Sequence, residues 1–420
     1  MSTTNVHRRE PPLMVVPTRG QLTAGAVWVT IANWADALDR HFGDVEIHTP
    51  AGVLSRQEAR TSAFSRSETA AISSSERRGR LIGAKTLVKD LRWAWRGAVF
   101  HLQLRHRLGI NRNPAFIWQH HDFFQTAGIG LGRRLGIPSV LFVDAPLVWE
   151  ARKWGVRRRG WGGLLERLGE KPALRRADVV ACVSAEVAEA VVNLGVDPVR
   201  VIVTPCSAEV PTPTPTGEQV RARHGLDKCF VIGWVGSFRA FHALDLLIET
   251  LAASGLDPKT YSLLLVGDGA ERGRLMQMCS DLGVPSVFTG SLPHDQVFEH
   301  IAAFDCGVIT AASGQDFHYS PLKLKEYLAM GVATVVPRVG EMAAMLEDGT
   351  DAHLYDPGDG ATLVARLTEL RDDEAHRRQI AAAGLETFLR QFGMAAQVKM
   401  LLDALERSNP TDRLMIRRTA

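Results

Sequence analysis

Short apolar runs alternate with helix-period segments along almost the whole chain. The alternation breaks once, near mid-chain, at Pro211-Thr-Pro-Thr-Pro-Thr-Gly217. Strand, helix and strand in succession predict a doubly wound parallel α/β sheet, because each return to a parallel neighbour needs a crossover and the helix supplies it. Alternating proline favours an extended, semi-rigid connector. At 420 residues the chain is long enough for two bodies with a sizeable core each. The expected division is therefore a first domain over 1–210, a linker over 211–217, a second domain over 218–393, and a closing helix and tail over 394–420 that pack back on the first domain.

In the first half, the expected strands are 13–17, 45–49, 116–118, 140–143 and 199–203. A helix over 26–40 presents Val27, Ile31, Trp34 and Leu38 on one face, and a second helix runs over 185–194. Residues 55–80, rich in Ser, Arg and Glu, read as a mobile loop. The second half predicts strands at 230–235, 262–266, 287–288, 306–309 and 333–336. Helices are expected over 243–253, 271–282, 321–330 and in the stretch 360–407. Two such domains facing across a cleft would bind ligands at the carboxyl ends of their strands.

Composition narrows the class. Hydrophobic residues at 45% and charged residues at 23% are ordinary for a soluble globular protein. No apolar run approaches the roughly 20 residues that span a bilayer. The five cysteines are scattered and never spaced as CxxC, which argues against a zinc site or disulfide framework and fits a reducing compartment. The start, 1–12, is polar and lacks an apolar h-region, so the expected location is cytoplasmic. Charge is uneven: residues 1–210 hold 29 of the 49 Lys and Arg but 19 of the 46 Asp and Glu, a balance of +10 against −7 for the remainder. Two bodies with different partners fit that split, as does a chance distribution of solvated faces. Nucleic acid is not expected, since no binding motif accompanies the basic charge.

The most informative stretch is Ser320-Pro-Leu-Lys-Leu-Lys-Glu-Tyr-Leu-Ala-Met-Gly331. Ser320 suits an N-cap, Pro321 the first helical position, and Gly331 the C-terminal end. A helix N-terminus just after a loop is a natural seat for a phosphate. Lys323 adds charge one turn in, and Glu326 lies where it can reach the hydroxyls of a ribose. An ordinary well-capped surface helix fits the same spacing.

With the following Val332-Ala-Thr-Val-Val-Pro337, the stretch resembles the signature of glycosyltransferase family 4, a retaining family of GT-B fold. Glu326 matches the second glutamate of that signature, which in the family binds the donor's ribose. The first glutamate falls on His318, a departure shared by a branch with Ser-Pro-Leu-Lys at this point. The resemblance makes the loop residues His318, Tyr319 and Ser320, with Leu322, Lys323 and Glu326, donor-binding candidates. Gly233-Trp-Val-Gly236-Ser-Phe-Arg239-Ala-Phe-His242 is similar to the segment whose basic pair holds the donor diphosphate. There Ser237 takes the place of the usual arginine and His242 that of the lysine, while Arg239 supplies a displaced charge. An imidazole gives full charge only when protonated. Gly267, in Leu263-Leu-Leu-Val-Gly267-Asp-Gly269, matches a glycine turn of the family, and Leu292 the segment that holds the base. Gly25 aligns with the first domain's glycine loop. His120, His121 and Asp144 end strands of that domain and are the catalytic candidates. Asp144 stands where many relatives have histidine.

The resemblance implies transfer of a sugar, with retention, from a nucleotide-diphosphate sugar, by family habit a UDP-sugar. The donor is a co-substrate, and no cofactor is implied. The acceptor would be a glycan, a lipid-linked intermediate or a small molecule. The sequence has no Asp-x-Asp motif, so metal-independent action is expected. The basic, Trp-containing segment 81–109 fits peripheral contact with the inner face of a membrane, and equally an inward-packed helix with solvated arginines. A non-catalytic nucleotide-sugar-binding subunit and a GT-B nucleotide-sugar epimerase remain the alternatives.

Overall fold

A computed structural model describes residues 10–17, 26–59, 81–108, 113–153, 158, 160–314 and 321–408. Most of the stretch 55–80 expected as a loop therefore lies outside the described residues, as do Gly25, His318, Tyr319 and Ser320. The described residues up to Pro205, with those from Gln397 onward, form one compact unit, and Cys206–Ala396 form the other. The division falls just ahead of the Pro-Thr run, and most of the closing helix Met394–Ser408 counts with the first unit.

The first unit holds a seven-stranded sheet: β1 Leu13–Val15, β2 Glu46–Thr49, β3 Gly52–Leu54, β4 Ile117–His120, β5 Ser139–Val143, β6 Val179–Cys182 and β7 Val201–Val203, in the order β3-β2-β1-β4-β5-β6-β7. Every pairing is parallel except β2 with β3. That exception closes through a tight turn in which the Thr49 hydroxyl accepts N–H bonds from Ala51 and Gly52. The inner strands β5 and β6 are buried at every residue, as a sheet covered on both faces requires. The helix Ala26–Phe42 buries Trp28, Ile31, Trp34 and Leu38. Val27, expected on that face, is 42% exposed, because the buried stripe is set one residue later at its start. Trp34 meets Trp118 and Phe142, ring centroids 6.1 and 5.9 Å away, so helix and sheet are joined by an aromatic cluster.

The helix Leu81–Leu108 turns Asp90, Gly97, Phe100 and Leu104 inward at spacings of seven, three and four. Its outer side carries Leu91, Trp95 and Leu102, each more than 60% exposed, among the exposed Lys89, Arg92, Arg96 and Arg107. The helix thus packs inward on one face and carries exposed apolar and basic side chains on the other. No helix among the described residues is long and apolar enough to cross a membrane.

The second unit has six parallel strands: β8 Phe230–Val235, β9 Tyr261–Val266, β10 Ser286–Gly290, β11 Cys306–Val308, β12 Ala333–Pro337 and β13 His353–Tyr355, in the order β10-β9-β8-β11-β12-β13. One face is covered by the helices Leu244–Ala253, Arg272–Asp281 and Gly360–Asp372, through Leu247, Leu251, Leu275, Leu363 and Leu367. The other is covered by His294–Ile301, Leu322–Ala329 and the segment Phe388–Phe392, through Phe298, Leu324, Tyr327 and Phe392. Inside this second layer the Lys325 ammonium pairs with the Glu341 carboxylate, both buried, and lies 4.7 Å from the centre of the Phe392 ring. All five cysteines are free thiols.

Close packing fixes some glycines. A Cβ at Gly233, within β8, would lie 2.0 Å from the Phe304 ring. Gly273, by contrast, sits in a helix with open space where its Cβ would go. Urea unfolding should show Gly233→Ala less stable by about 1–3 kcal/mol through overpacking. Gly273→Ala should be unchanged or more stable by up to about 1 kcal/mol.

Candidate functional site

In a sheet of this order, the chain leaves the two central strands toward opposite edges. The crevice beyond their carboxyl ends is open to a ligand. The central pair is β8 and β11 in the second unit, and β1 and β4 in the first.

Beyond β8 the chain turns at Gly236 (φ 146°), and beyond β9 at Gly267 (φ 132°). The two turns touch backbone to backbone: a Cβ at Gly267 would lie 1.9 Å from the Gly236 carbonyl oxygen. The Gly236 N–H donates to the Val266 carbonyl at 2.9 Å, and the Phe238 N–H to that of Asp268 at 2.9 Å. Ser237 and Arg239 are exposed on this turn, whereas Phe238 is fully buried. The turn Ala240–His242 follows, and the His242 carbonyl accepts the hydroxyl of Thr310 from the segment after β11. The loops leaving the two central strands are thereby tied together.

The helix Leu322–Ala329 begins at this edge. Pro321 is not its first residue, as expected from the sequence, but its N-cap, with extended backbone (φ −72°, ψ 115°). Among the described residues no side chain caps this end, and the first N–H groups, at Leu322 and Lys323, are open to a ligand. Gly331, with φ 63°, ends the helix as expected. The Lys323 ammonium is buried and has no hydrogen-bond partner among the described residues. It lies over the Trp234 indole, 3.9 Å from the ring centre, and 3.2 Å from where a Cβ of Gly236 would be. Glu326, 9% exposed, stands one turn further on. Burial pulls the Lys323 amine down to about 7, opposed by the Glu326 charge. Burial likewise pushes the Glu326 carboxyl up to about 7, opposed by Lys323.

His242 packs into the same cluster. Its ring meets Trp234 edge-on at 5.3 Å, and burial, with Lys323 and Arg239 beside it, holds its pKa far below the usual value. The imidazole is therefore neutral near pH 7 and carries no full charge. Trp234 was missed as a site residue. It lies in a strand that reads as plain core, and only the lysine resting on its face reveals its part. Leu292 follows the outer strand β10, half-buried against the core.

In the first unit, His120 ends β4 and Asp144 follows β5, its neighbour. Their side chains meet at 2.7 Å (His120 Nε2 to Asp144 Oδ2) and stay partly open to solvent. His121 points elsewhere: its Nε2 lies 3.3 Å from Oε1 of Glu170, and both side chains are fully buried. Glu170 also accepts the N–H groups of Leu147 and Val148, at the start of the helix Leu147–Lys153. The adjacent histidines thus divide, His120 toward the strand-end pair with Asp144 and His121 into a structural anchor.

Solved structures share this fold at low sequence identity. The structure of Anabaena HepE in complex with UDP matches with a TM-score of 0.60 at 16% identity, covering 94% of this chain and 100% of that one. Sucrose-phosphate synthase of Thermosynechococcus elongatus matches with a TM-score of 0.63 at 17% identity, covering 95% and 100%. The fold is GT-B, with two Rossmann-like α/β domains. Residues 25–207 match the model of the glycosyl transferase 4-like domain, and residues 229–373 that of glycosyl transferases group 1. The chain resembles glycosyltransferase family 4 along both halves. D-inositol 3-phosphate glycosyltransferase of Thermomonospora curvata is 30% identical over 256 residues, 56% of this chain and 58% of that protein. The lipopolysaccharide core biosynthesis glycosyltransferase LpsD of Rhizobium meliloti is 32% identical over 149 residues, 34% and 41% of the two chains. The chain spans about half the length of these curated relatives.

The two histidines should separate in stability measurements. His121→Ala strands a buried carboxylate and should cost about 3–5 kcal/mol in urea unfolding. His120→Ala breaks a partly exposed pair and should cost no more than about 1 kcal/mol.

Proposed function

We propose that this chain is a glycosyltransferase that moves a sugar from a nucleotide-diphosphate sugar to an acceptor hydroxyl, with its donor site at the carboxyl ends of β8 and β11. The observation that carries the reading is the buried ammonium of Lys323, without a hydrogen-bond partner among the described residues, set between a glycine turn and a helix N-terminus that no described side chain caps. A diphosphate accepts from that ammonium and from the first N–H groups of the helix.

In glycosyl transfer, positive charge develops at the sugar's anomeric carbon and negative charge on the departing diphosphate. Groups fixed around that diphosphate before reaction lower the barrier most. Lys323, Arg239 and the N–H groups of Leu322 and Lys323 take this role, and Glu326 receives ribose hydroxyls. His120 and Asp144 are the candidates for handling the acceptor's proton. His121, held by Glu170, supports the strand end behind them. Retention of anomeric configuration, metal-independent action and a uridine donor follow the family resemblance. HepE, which shares the fold, was crystallised with UDP. The exposed Leu91, Trp95 and Leu102 among basic residues support peripheral membrane contact and a lipid-linked acceptor.

A panel of nucleoside diphosphates, with and without magnesium, should raise the melting temperature for one base selectively and independently of metal. That shift should disappear in Glu326→Ala and Lys323→Ala. Sugar transfer from the matching nucleotide sugar should then follow. Binding without turnover would leave a non-catalytic binding subunit, and a C2-inverted nucleotide sugar as product would mean an epimerase. Stabilisation by no nucleotide overturns the assignment. Between pH 7.5 and 9 the diphosphate is fully ionised, but the free amine of Lys323 is losing its proton. Binding must return that proton, so affinity should fall by up to about tenfold per pH unit, and Lys323→Arg should flatten the slope.

A further inference from the structure

At the amino-terminal edge of the second sheet, away from the strand ends assigned to the donor, three potential ligands of a metal ion converge. His353 opens β13, Glu369 lies in the last turn of the helix Gly360–Asp372, and His376 lies in the first turn of the helix Glu374–Thr387. The Nε2 atoms of the two histidines are 3.1 Å apart. Glu369 straddles them, with Oε2 3.7 Å from His353 Nε2 and Oε1 3.5 Å from His376 Nε2. For an ion holding nitrogen and oxygen ligands at about 2.0–2.2 Å in tetrahedral geometry, neighbouring ligand atoms stand about 3.3–3.5 Å apart. The nitrogen pair and the nearest oxygen of Glu369 to each nitrogen lie close to that edge length, with one ligand atom from each of the three residues all within 4.8 Å of one another.

The surroundings hold these groups in place. His353 is 1% exposed, and its far nitrogen, Nδ1, has Asp348 Oδ1 at 3.8 Å but makes no hydrogen bond among the described residues. A shift of less than about 1 Å would close that contact into the carboxylate–imidazole pair that orients histidine ligands. Arg366 holds Oε2 of Glu369 at 3.1 Å and Oδ2 of Asp348 at 3.4 Å, which fixes both carboxylates while its charge is spread between them. The backbone N–H of His376 is capped by Asp373 at 2.9 Å. Glu369 is exposed, which leaves a path for an ion and room for a water as fourth ligand.

We propose that His353, Glu369 and His376 bind a divalent transition-metal ion, Zn²⁺ by preference, as a clamp that joins β13 to the two helices. Two imidazoles and one carboxylate suit zinc and its neighbours, whereas magnesium and calcium take oxygen ligands. The site lies apart from the diphosphate groups, so the ion is a structural element and no step of sugar transfer passes through it.

The test uses tag-free full-length protein stripped by a chelator and then titrated with Zn²⁺ by calorimetry and with Co²⁺ by visible absorption. One ion per chain is expected, with ligand-field bands of a low-coordinate nitrogen-oxygen site and a raised melting temperature. His376→Ala and Glu369→Gln, both at partly open positions, should each weaken binding at least about tenfold. His224→Ala, in the separate histidine pair with His300, should leave it unchanged. Absence of stoichiometric binding, or binding equally tight in the His376 and Glu369 variants, overturns the proposal.

Discussion

The carbonyl oxygen of Gly236 occupies the space in which a side chain at position 267 would begin. That backbone contact brings the turns after β8 and β9 together without intervening side chains. Phe238 can then fold under its own turn, its ring stacked on Trp234 at 5.2 Å. With Phe238 beneath it, the indole of Trp234 is fixed as the surface over which Lys323 extends. Lys323 belongs to a helix anchored by Tyr327, whose hydroxyl accepts the Val235 N–H at 2.8 Å. Strand, turn and helix are therefore locked to one another within a few residues of the same sheet edge, and the ammonium is placed by packing rather than by a counter-ion.

Both units place polar groups where their central strands end, but they hold them differently. In the second unit the groups are backbone N–H, the Lys323 ammonium and the Arg239 guanidinium, suited to an anion. In the first they are a paired imidazole and carboxylate, His120 and Asp144, suited to orienting or moving a proton. The segment Glu166–Glu170 gives the first unit its rigidity at this point. Through Glu170 it gathers His121 and the start of the helix Leu147–Lys153 into one buried hydrogen-bonded node.

The alternation of strands and helices was legible because parallel strands covered on both faces form apolar runs, and β5, β8, β9 and β12 are such runs. Three strands were not expected, β3, β6 and β13; β3, Gly52–Leu54, is a three-residue edge strand that opens on a glycine straight after the turn from β2. β6, Val179–Cys182, is short and follows directly on the basic helix end Arg175-Arg176, while β13, His353–Tyr355, has three residues of which one is histidine. Neither carries an alternation to detect, and their pairing is decided by the sheet already formed. At the site, glycines, lysine and glutamate could be named from spacing and resemblance. Their charge states could not, because burial sets them: the sequence leaves the charge of His242 open, and burial holds its imidazole neutral. The division of labour between His120 and His121 was likewise invisible, since Glu170, 49 residues on from His121, decides it.

Burial draws the pKa of the Lys323 amine down and pushes that of the Glu326 carboxyl up, so each group holds its charge less firmly than it would in water. An anion settling beside the amine favours its protonated form and takes up a proton from solvent as it arrives. Charge at this sheet edge thus belongs to the pair that forms, protein and anion together, rather than to the protein alone.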